Sequence, residues 1–320
     1  MLWNLTGGET FACDHSNASR TQLFDTSTLT FSADLAAVFN VTLDCLPAPL
    51  PSDSRFGQTA AGRTALPKGI PIHAMMGDSH AALYGHGVRA AGVVKATYGT
   101  GSSLMTITPS RISSRHGLSG TIAWTDHNGT TYALEGNITV SAQAAAFMAE
   151  IMGIEGAANL SKLAQTVADS AGVVFIPALA GLGAPHWNDT ATGTVSGMTH
   201  GTTRGHLARA TFEAIALQIC DVFTAMQQDI GHPLVSIRAD GGASGNGFLM
   251  QMQADLLGQR VSTSEIEEVG AIGVAAMAFA ALGQPLMLPD SAKHYDPTMP
   301  TNAAMAIKAT WAQALQRFLA

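Results

Sequence analysis

An α/β fold, a mixed sheet flanked by helices, is what the sequence predicts, and three observations predict it. Apolar runs too short to be helices end on glycine and pass into helical patterns, as where Leu234 to Ala239 opens into Asp240-Gly241-Gly242-Ala243-Ser244-Gly245-Asn246 and then a helix over Gly247 to Leu257. Short β-branched runs flank glycine turns and read as hairpins. Between Arg204 and Asp229, Ala208, Phe212, Ile215, Ile219, Val222 and Met226 recur at alternating steps of four and three, the spacing of one buried helix face.

The remaining elements follow in chain order. A polar loop, Asp14 to Thr21, precedes a short helix over Asp34 to Phe39, and Pro47, Pro49 and Pro51 then mark connecting turns. Ile70 to Met76 is an apolar run ended by Gly77-Asp78, expected as a strand buried on both faces, with a helix starting at Ser79. Gly92 to Tyr98 and Ser103 to Thr108 form one hairpin about Gly99-Thr100-Gly101-Ser102; Gly120 to Trp124 and Thr130 to Glu135 form a second. Helices are expected over Ser141 to Met152 and Asn159 to Asp169, and another buried strand over Gly172 to Pro177. The uncharged stretch Val269 to Pro289 is rich in Ala and Gly, gains little from lipid, and reads as a closely packed helix.

Composition narrows the function classes. The 320 residues are enough for two domains at about 150 each. Hydrophobic residues make up 47% and charged residues 12%, against about 25% charged on average, which excludes a disordered chain. With 16 basic against 23 acidic residues, a formal charge of −7 and no Lys/Arg run, neither nucleic acid nor an anionic membrane is expected as a partner. Three dispersed cysteines, Cys13, Cys45 and Cys220, fit neither a disulfide framework nor a zinc site and point to a reducing cytoplasm. Met1 to Thr10 has no signal-peptide pattern. His80 and His86, six residues apart, lack helical ligand spacing, so no metal site is expected from them.

Three motifs can carry chemistry. Asp78 closes an apolar run before a helix, where open α/β sheets present working residues; it could accept the proton of a hydroxyl or simply cap the helix. In Tyr98-Gly99-Thr100-Gly101-Ser102, glycines around a threonine let N–H and hydroxyl groups converge on a phosphate, or make an ordinary turn. The loop Gly241 to Asn246 has residues small enough for a flat ring to lie on backbone, with Asn246 available to bond it; a plain strand-to-helix turn is the alternative. No Walker-type P-loop is present. His186 and Trp187, in a Gly/Pro loop, suit either a cleft wall or packing.

Taken in order, the motifs resemble the FGGY family of carbohydrate kinases, within the actin-like, ribonuclease H-like ATPases. Thr10 to Thr21, Gly77-Asp78, Tyr98 to Gly101, Tyr132 to Gly136, Gly181 to Trp187 and Asp240 to Asp255 are each similar to a family segment. The resemblance implies transfer of the ATP γ-phosphate to a sugar or polyol hydroxyl, with Asp78 as general base, Gly99, Thr100 and Gly101 at the phosphates, and Gly241, Gly242 and Asn246 at adenosine. Asp78 and Ser79 would face the sugar or polyol, and Mg²⁺ is implied as the bridge between phosphate oxygens. It also implies that 1–83 is the remainder of a sugar-binding domain and 84–320 an ATP-binding domain. The first domain is expected to be incomplete, because the family's opening D-x-G-T-T-S hairpin has no counterpart. Ser79 stands where glycerol-specific members have glutamine, and Ala142 and Ala146 where they have glycine and glutamine. A nucleotide-binding module without transferase activity and an actin-like assembly protein are the rival expectations; a second copy of the chain is the one macromolecular partner left open.

Overall fold

A computed structural model describes residues 1–288 and 293–319. Its centre is a seven-stranded mixed sheet built from β1 (Val93–Tyr98), β2 (Ser102–Thr108), β3 (Ser119–Asp126), β4 (Gly129–Ile138), β5 (Ser236–Asp240), β6 (Arg260–Thr263) and β7 (Lys293–Tyr295). Their order across the sheet is β7-β6-β5-β1-β2-β4-β3. β1, β5 and β6 run parallel, β2 lies antiparallel between β1 and β4, β3 pairs antiparallel with β4 at one edge, and β7 closes the other edge antiparallel.

Helices cover both faces, as a partly parallel sheet requires. On one face Val94, Ala96, Tyr98 and Leu104 join the main core with α4 (Arg204–Ile230) and α5 (Gly247–Leu257). The stripe anticipated on α4 is fully sequestered, Ala208, Phe212, Ile215, Ile219, Val222 and Met226 all being buried. Gly231 and Gly258 end these helices at φ +70° and +69°, a conformation in which only glycine escapes the Cβ penalty. α2 (Gln143–Ile151), α3 (Gly156–Ala164) and α7 (Thr301–Leu319) lie about this core.

The opposite face carries a second core, where Met105, Ile107, Ala123 and Ala133 meet Leu83 and Tyr84 of α1 (Asp78–Gly85) and Ala276 and Met277 of α6 (Val269–Ala281). α1 and α6 touch backbone to backbone: a Cβ on Gly85 would overlap the Val269 carbonyl, and one on Gly273 the Ala81 carbonyl. This agrees with the close packing expected of the Ala/Gly stretch, whose last residue, Pro289, lies outside the described residues.

Two expectations need correction. Ile70 to Met76 is not a doubly buried strand: only Pro71–Ile72 pairs, with Gly57–Gln58, and Ile72 to Met76 are half-buried. Its backbone is taken by the N-terminal loops, Phe56 N–H donating to the Ile72 carbonyl and Met75 N–H to that of Ser52, so it never joins the large sheet. Gly172 to Pro177 likewise forms only Val174–Ile176, paired antiparallel with Thr194–Ser196 in a separate ribbon. An apolar run reports burial without naming its partner strand.

The backbone contact predicts a graded response to added methyl groups. Gly273→Ala should destabilise by about 1–3 kcal/mol or more, because neither helix backbone can yield by so much, whereas Gly270→Ala, whose Cβ would stand 3.3 Å from the Asp78 carbonyl and needs a shift of only a few tenths of an ångström, should cost clearly less. Urea midpoints of the two variants measure the difference, and equal losses would refute the packing argument.

Candidate functional site

Asp78 reaches its position through two layers of local chemistry. Asp14 caps the short helix His15–Ala18, accepting from the N–H groups of Ser16 and Asn17 and from the Ser52 hydroxyl. That places Ser16 Oγ to accept the Gly77 N–H at 2.9 Å. A Cβ at Gly77 would stand 2.7 Å from His80 Nδ1, so glycine is the residue that fits. Gly77 is the N-cap of α1 and Asp78 its first residue, hence Asp78 is not the cap; its Oδ1 accepts the Ser79 N–H at 2.6 Å while the residue stays exposed.

Asp78 and Ser79 form one wall of a cavity of about 520 Å³. Lys95 and Thr97 of β1 and Asp240 at the end of β5 supply its floor, Gly241, Gly242, Ser244 and Gly245 the facing bend, and the segment from Ser264 to Gly270 the remaining side. The bend at 99–101 abuts this loop, since a Cβ on Gly241 would stand 2.7 Å from the Tyr98 carbonyl oxygen, and Gly241 has φ +85°. Gly101 is pressed against the Ile138 carbonyl, so a side chain there has no room. The 99–101 turn is fixed from outside by the Ala142 N–H on the Gly99 carbonyl and the Ser141 N–H on the Thr100 carbonyl, which leaves Thr100 exposed.

Of the residues singled out from sequence, Asp78, Ser79, Gly241 and Gly242 therefore line the same cavity, while Gly99, Thr100, Gly101 and Asn246 are not among its lining residues. Asn246 N-caps α5, its Oδ1 accepting from Phe248 and Leu249 N–H, so those amides are already committed. Its Nδ2 donates to no group among the described residues. His86 does not join Asp78: its Nε2 lies 2.7 Å from Asp240 Oδ2, and His80 Nε2 lies 3.2 Å from Thr121 Oγ1. No group of three His, Cys, Asp or Glu residues among the described residues could hold a metal. His186 packs 3.4 Å from Asp221 in a separate, open pocket with Arg115 and His116.

Sequence reasoning missed the charged floor. Lys95 is fully buried, and its ammonium has no hydrogen-bond partner. Burial pushes its pKa down, against the opposing pull of Asp240, Glu135 and Asp78. Burial alone would raise Asp240, but the His86 bond, the Lys95 charge and the Thr97 hydroxyl outweigh it and hold its pKa below the ordinary carboxylate range. Glu135 lies 2.7 Å from the Arg20 guanidinium and accepts from Ser103 Oγ, tying the N-terminal segment to β4. The signal available was the alternation in β1: Val94, Ala96 and Tyr98 face the main core, which sends Lys95 and Thr97 to the side of Asp78. A second cavity, about 400 Å³ between α4 and α7, contains none of the motif residues.

A carboxylate at a helix start shares a polar cavity with a glycine bend at the ends of the parallel strands β1 and β5, an arrangement that suits a phosphate-bearing ligand in an α/β protein. Comparison with known proteins makes this specific. Residues 94–282 match the model of the FGGY family of carbohydrate kinases, C-terminal domain, and residues 1–85 that of the N-terminal domain. The chain is 42% identical over 325 residues to the apulose kinase of Pectobacterium atrosepticum, covering 99% of this chain and 65% of that protein. To the glycerol kinase of Bordetella parapertussis it is 40% identical, covering 99% of this chain and 64% of the relative. The structure of Plasmodium falciparum glycerol kinase with ADP superposes with a TM-score of 0.91 at 29% identity, over 100% of this chain and 65% of that one. The gluconate kinase of Lactobacillus acidophilus, at 20% identity and a TM-score of 0.89 over 100% of this chain and 66% of that one, shares the fold. The chain belongs to the FGGY family of carbohydrate kinases and has its actin-like, ribonuclease H-like architecture. It spans slightly under two thirds of the length of the curated relatives, 65% and 64% for the two named.

The buried histidine gives a pH signature. Burial first, then the charges of Arg20 and Lys95, pull His80 from 6.5 down to about 3, with Asp78 opposing. Between those values the unfolded chain takes up a proton that the folded one refuses, so stability falls as pH falls, by up to about 1.4 kcal/mol per pH unit. His80→Gln cannot titrate and should flatten the acid limb of a plot of urea midpoint against pH. Parallel curves for the two proteins between about pH 6.5 and 4 would show that His80 is not held neutral.

Proposed function

We propose that the protein transfers the γ-phosphate of ATP to a hydroxyl of a sugar or polyol. The observation that carries this reading is that Asp78 and the Gly241-Gly242 bend open onto one cavity, so an acid and a nucleotide-sized ligand can share it. The substrate hydroxyl attacks the γ-phosphorus, its proton passes to the Asp78 carboxylate, and the bond from phosphorus to the ADP oxygen breaks. Asp78 is exposed at its helix start, so it needs only to come within hydrogen-bond reach of the hydroxyl.

Gly99, Thr100 and Gly101 take the phosphate side, with the Thr100 hydroxyl exposed beside the bend. Gly241 and Gly242 offer bare backbone to the adenosine, and Asn246 its Nδ2. Ser79, next to Asp78 in the cavity wall, contacts the sugar or polyol. A resident metal cage is not what these residues make, but Mg²⁺ is ordinarily held by one or two carboxylates together with phosphate oxygens and water. Asp78 and Asp240 fit that role, and the bound ion would neutralise charge on the phosphates.

Residues 1–83 supply the sugar-facing part and 84–320 the ATP-facing part, a division supported by family matches that meet between residues 85 and 94. The free thiols of Cys13, Cys45 and Cys220 support a cytoplasmic protein, and no helix among the described residues is long and apolar enough to cross a membrane. No observation favours the binding-only or filament-forming alternatives.

ATP, Mg²⁺ and a panel of polyols and ketoses, followed by ADP release, test the reading. Asp78→Asn should cut turnover by about 10²–10⁴-fold while leaving ADP affinity, measured by calorimetry, within about threefold. An unchanged rate in the variant, or no turnover of any panel member by the unaltered protein, would defeat it.

A further inference from the structure

The mechanism leaves one buried charge unused. Lys95 is 0% exposed, and its three N–H donors reach no acceptor among the described residues. The carboxylates that surround it are already engaged by other donors. Asp240 Oδ2 lies 2.7 Å from His86 Nε2, and Asp240 is also bonded by the Thr97 hydroxyl. Glu135 Oε1 accepts from Ser103 Oγ at 3.1 Å, and its Oε2, without a hydrogen bond, is ion-paired with the Arg20 guanidinium at 2.7 Å. Asp78 Oδ1 takes the Ser79 N–H. An ammonium stripped of water and denied hydrogen bonds costs several kcal/mol, so a sequence that keeps one there is offset by something else. Lys95 lies in the floor of the cavity shared by Asp78 and the Gly241-Gly242 bend, in the strand that leads four residues later into the Gly99 turn.

We propose that Lys95 is the cationic contact of this cavity, its ammonium donating to the oxygens of a phosphate group delivered there. The identity of the ligand rests on the phosphoryl-transfer reading; the need for an anion rests on the unbonded ammonium itself. A phosphate oxygen supplies both the acceptor and the negative charge that the protein withholds, and lysine, as a point charge with three rotatable donors, can follow a moving phosphoryl group. The same carboxylates that stand near Lys95 oppose the loss of its proton that burial favours.

Inorganic pyrophosphate, titrated in excess Mg²⁺ so that the acidic lining does not repel it, is the probe. Calorimetric titration of the unaltered chain should show binding that Lys95→Met weakens at least tenfold, while Lys162→Met, on an exposed helix surface, changes it less than twofold. In protein carrying ¹⁵N-lysine, pyrophosphate should shift the Lys95 ammonium resonance, a readout that needs no stable variant once Lys95→Arg has identified the signal. Absence of pyrophosphate binding, binding within twofold in Lys95→Met, or a Lys95 resonance unmoved at saturation would each overturn the proposal. If pyrophosphate binds through Lys95 while no polyol or ketose is phosphorylated, the anion contact stands and the transferase reading falls.

Discussion

The contact of α1 on α6 is the constraint from which the site follows. Helices separated by ordinary side chains sit 8–10 Å apart and can shift by rotamer changes, but Gly85 and Gly273 place carbonyl against α-carbon, where no side chain is left to adjust. The start of α1 is therefore fixed relative to the sheet, and with it the Asp78 carboxylate. Gly77 reinforces this at the other end through Ser16, so the polar N-terminal loop and the small-residue helix near the C-terminus hold the same aspartate from opposite sides.

Rigid placement of α1 also has an electrostatic cost, because the helix seals His80, Lys95 and Glu135 beneath it. The protein answers with pairs between segments distant in sequence: Arg20 with Glu135, Ser19 with Thr121, His86 with Asp240. These links join the N-terminal segment, the antiparallel strands and the parallel strands into one polar layer below the cavity. Three buried polar atoms among the described residues still lack a hydrogen-bond partner, His80 Nδ1, Glu135 Oε2 and Lys95 Nζ; Lys95 is the cation among them, and exceptions of this kind mark function more often than stability.

Much of this was legible in the sequence, for identifiable reasons. Helices α4 and α5 announce themselves by spacing and by terminal glycines, and the two hairpins by turns, because each signal is local. The paired partner of an apolar run is not local: Ile70 to Met76 has the composition of a central strand, yet its backbone bonds run to residues 52–59. The site divides the same way. Asp78 and Gly241-Gly242 were visible as punctuation between elements, whereas Lys95 and Asp240 lie inside or at the end of strands and become site residues only when β1 and β5 pair in register at Lys95 and Arg238. His86 finds Asp240 across 154 residues of sequence, a separation that no spacing rule anticipates.

The charge inventory of the cavity constrains what can enter. Asp78, Asp240, Glu265, Glu267 and Glu268 line it against a single ammonium, Lys95. An unaccompanied polyphosphate would meet a field of its own sign, and even at an effective dielectric near 20 a like-charge pair at 4 Å costs about 4 kcal/mol. A neutral sugar or polyol meets no such barrier and gains hydrogen bonds from the same carboxylates. The lining is thus acidic along its walls and cationic only at Lys95, so a neutral polyhydroxy ligand would meet no repulsion anywhere in it, whereas an anion would be favoured at the floor alone.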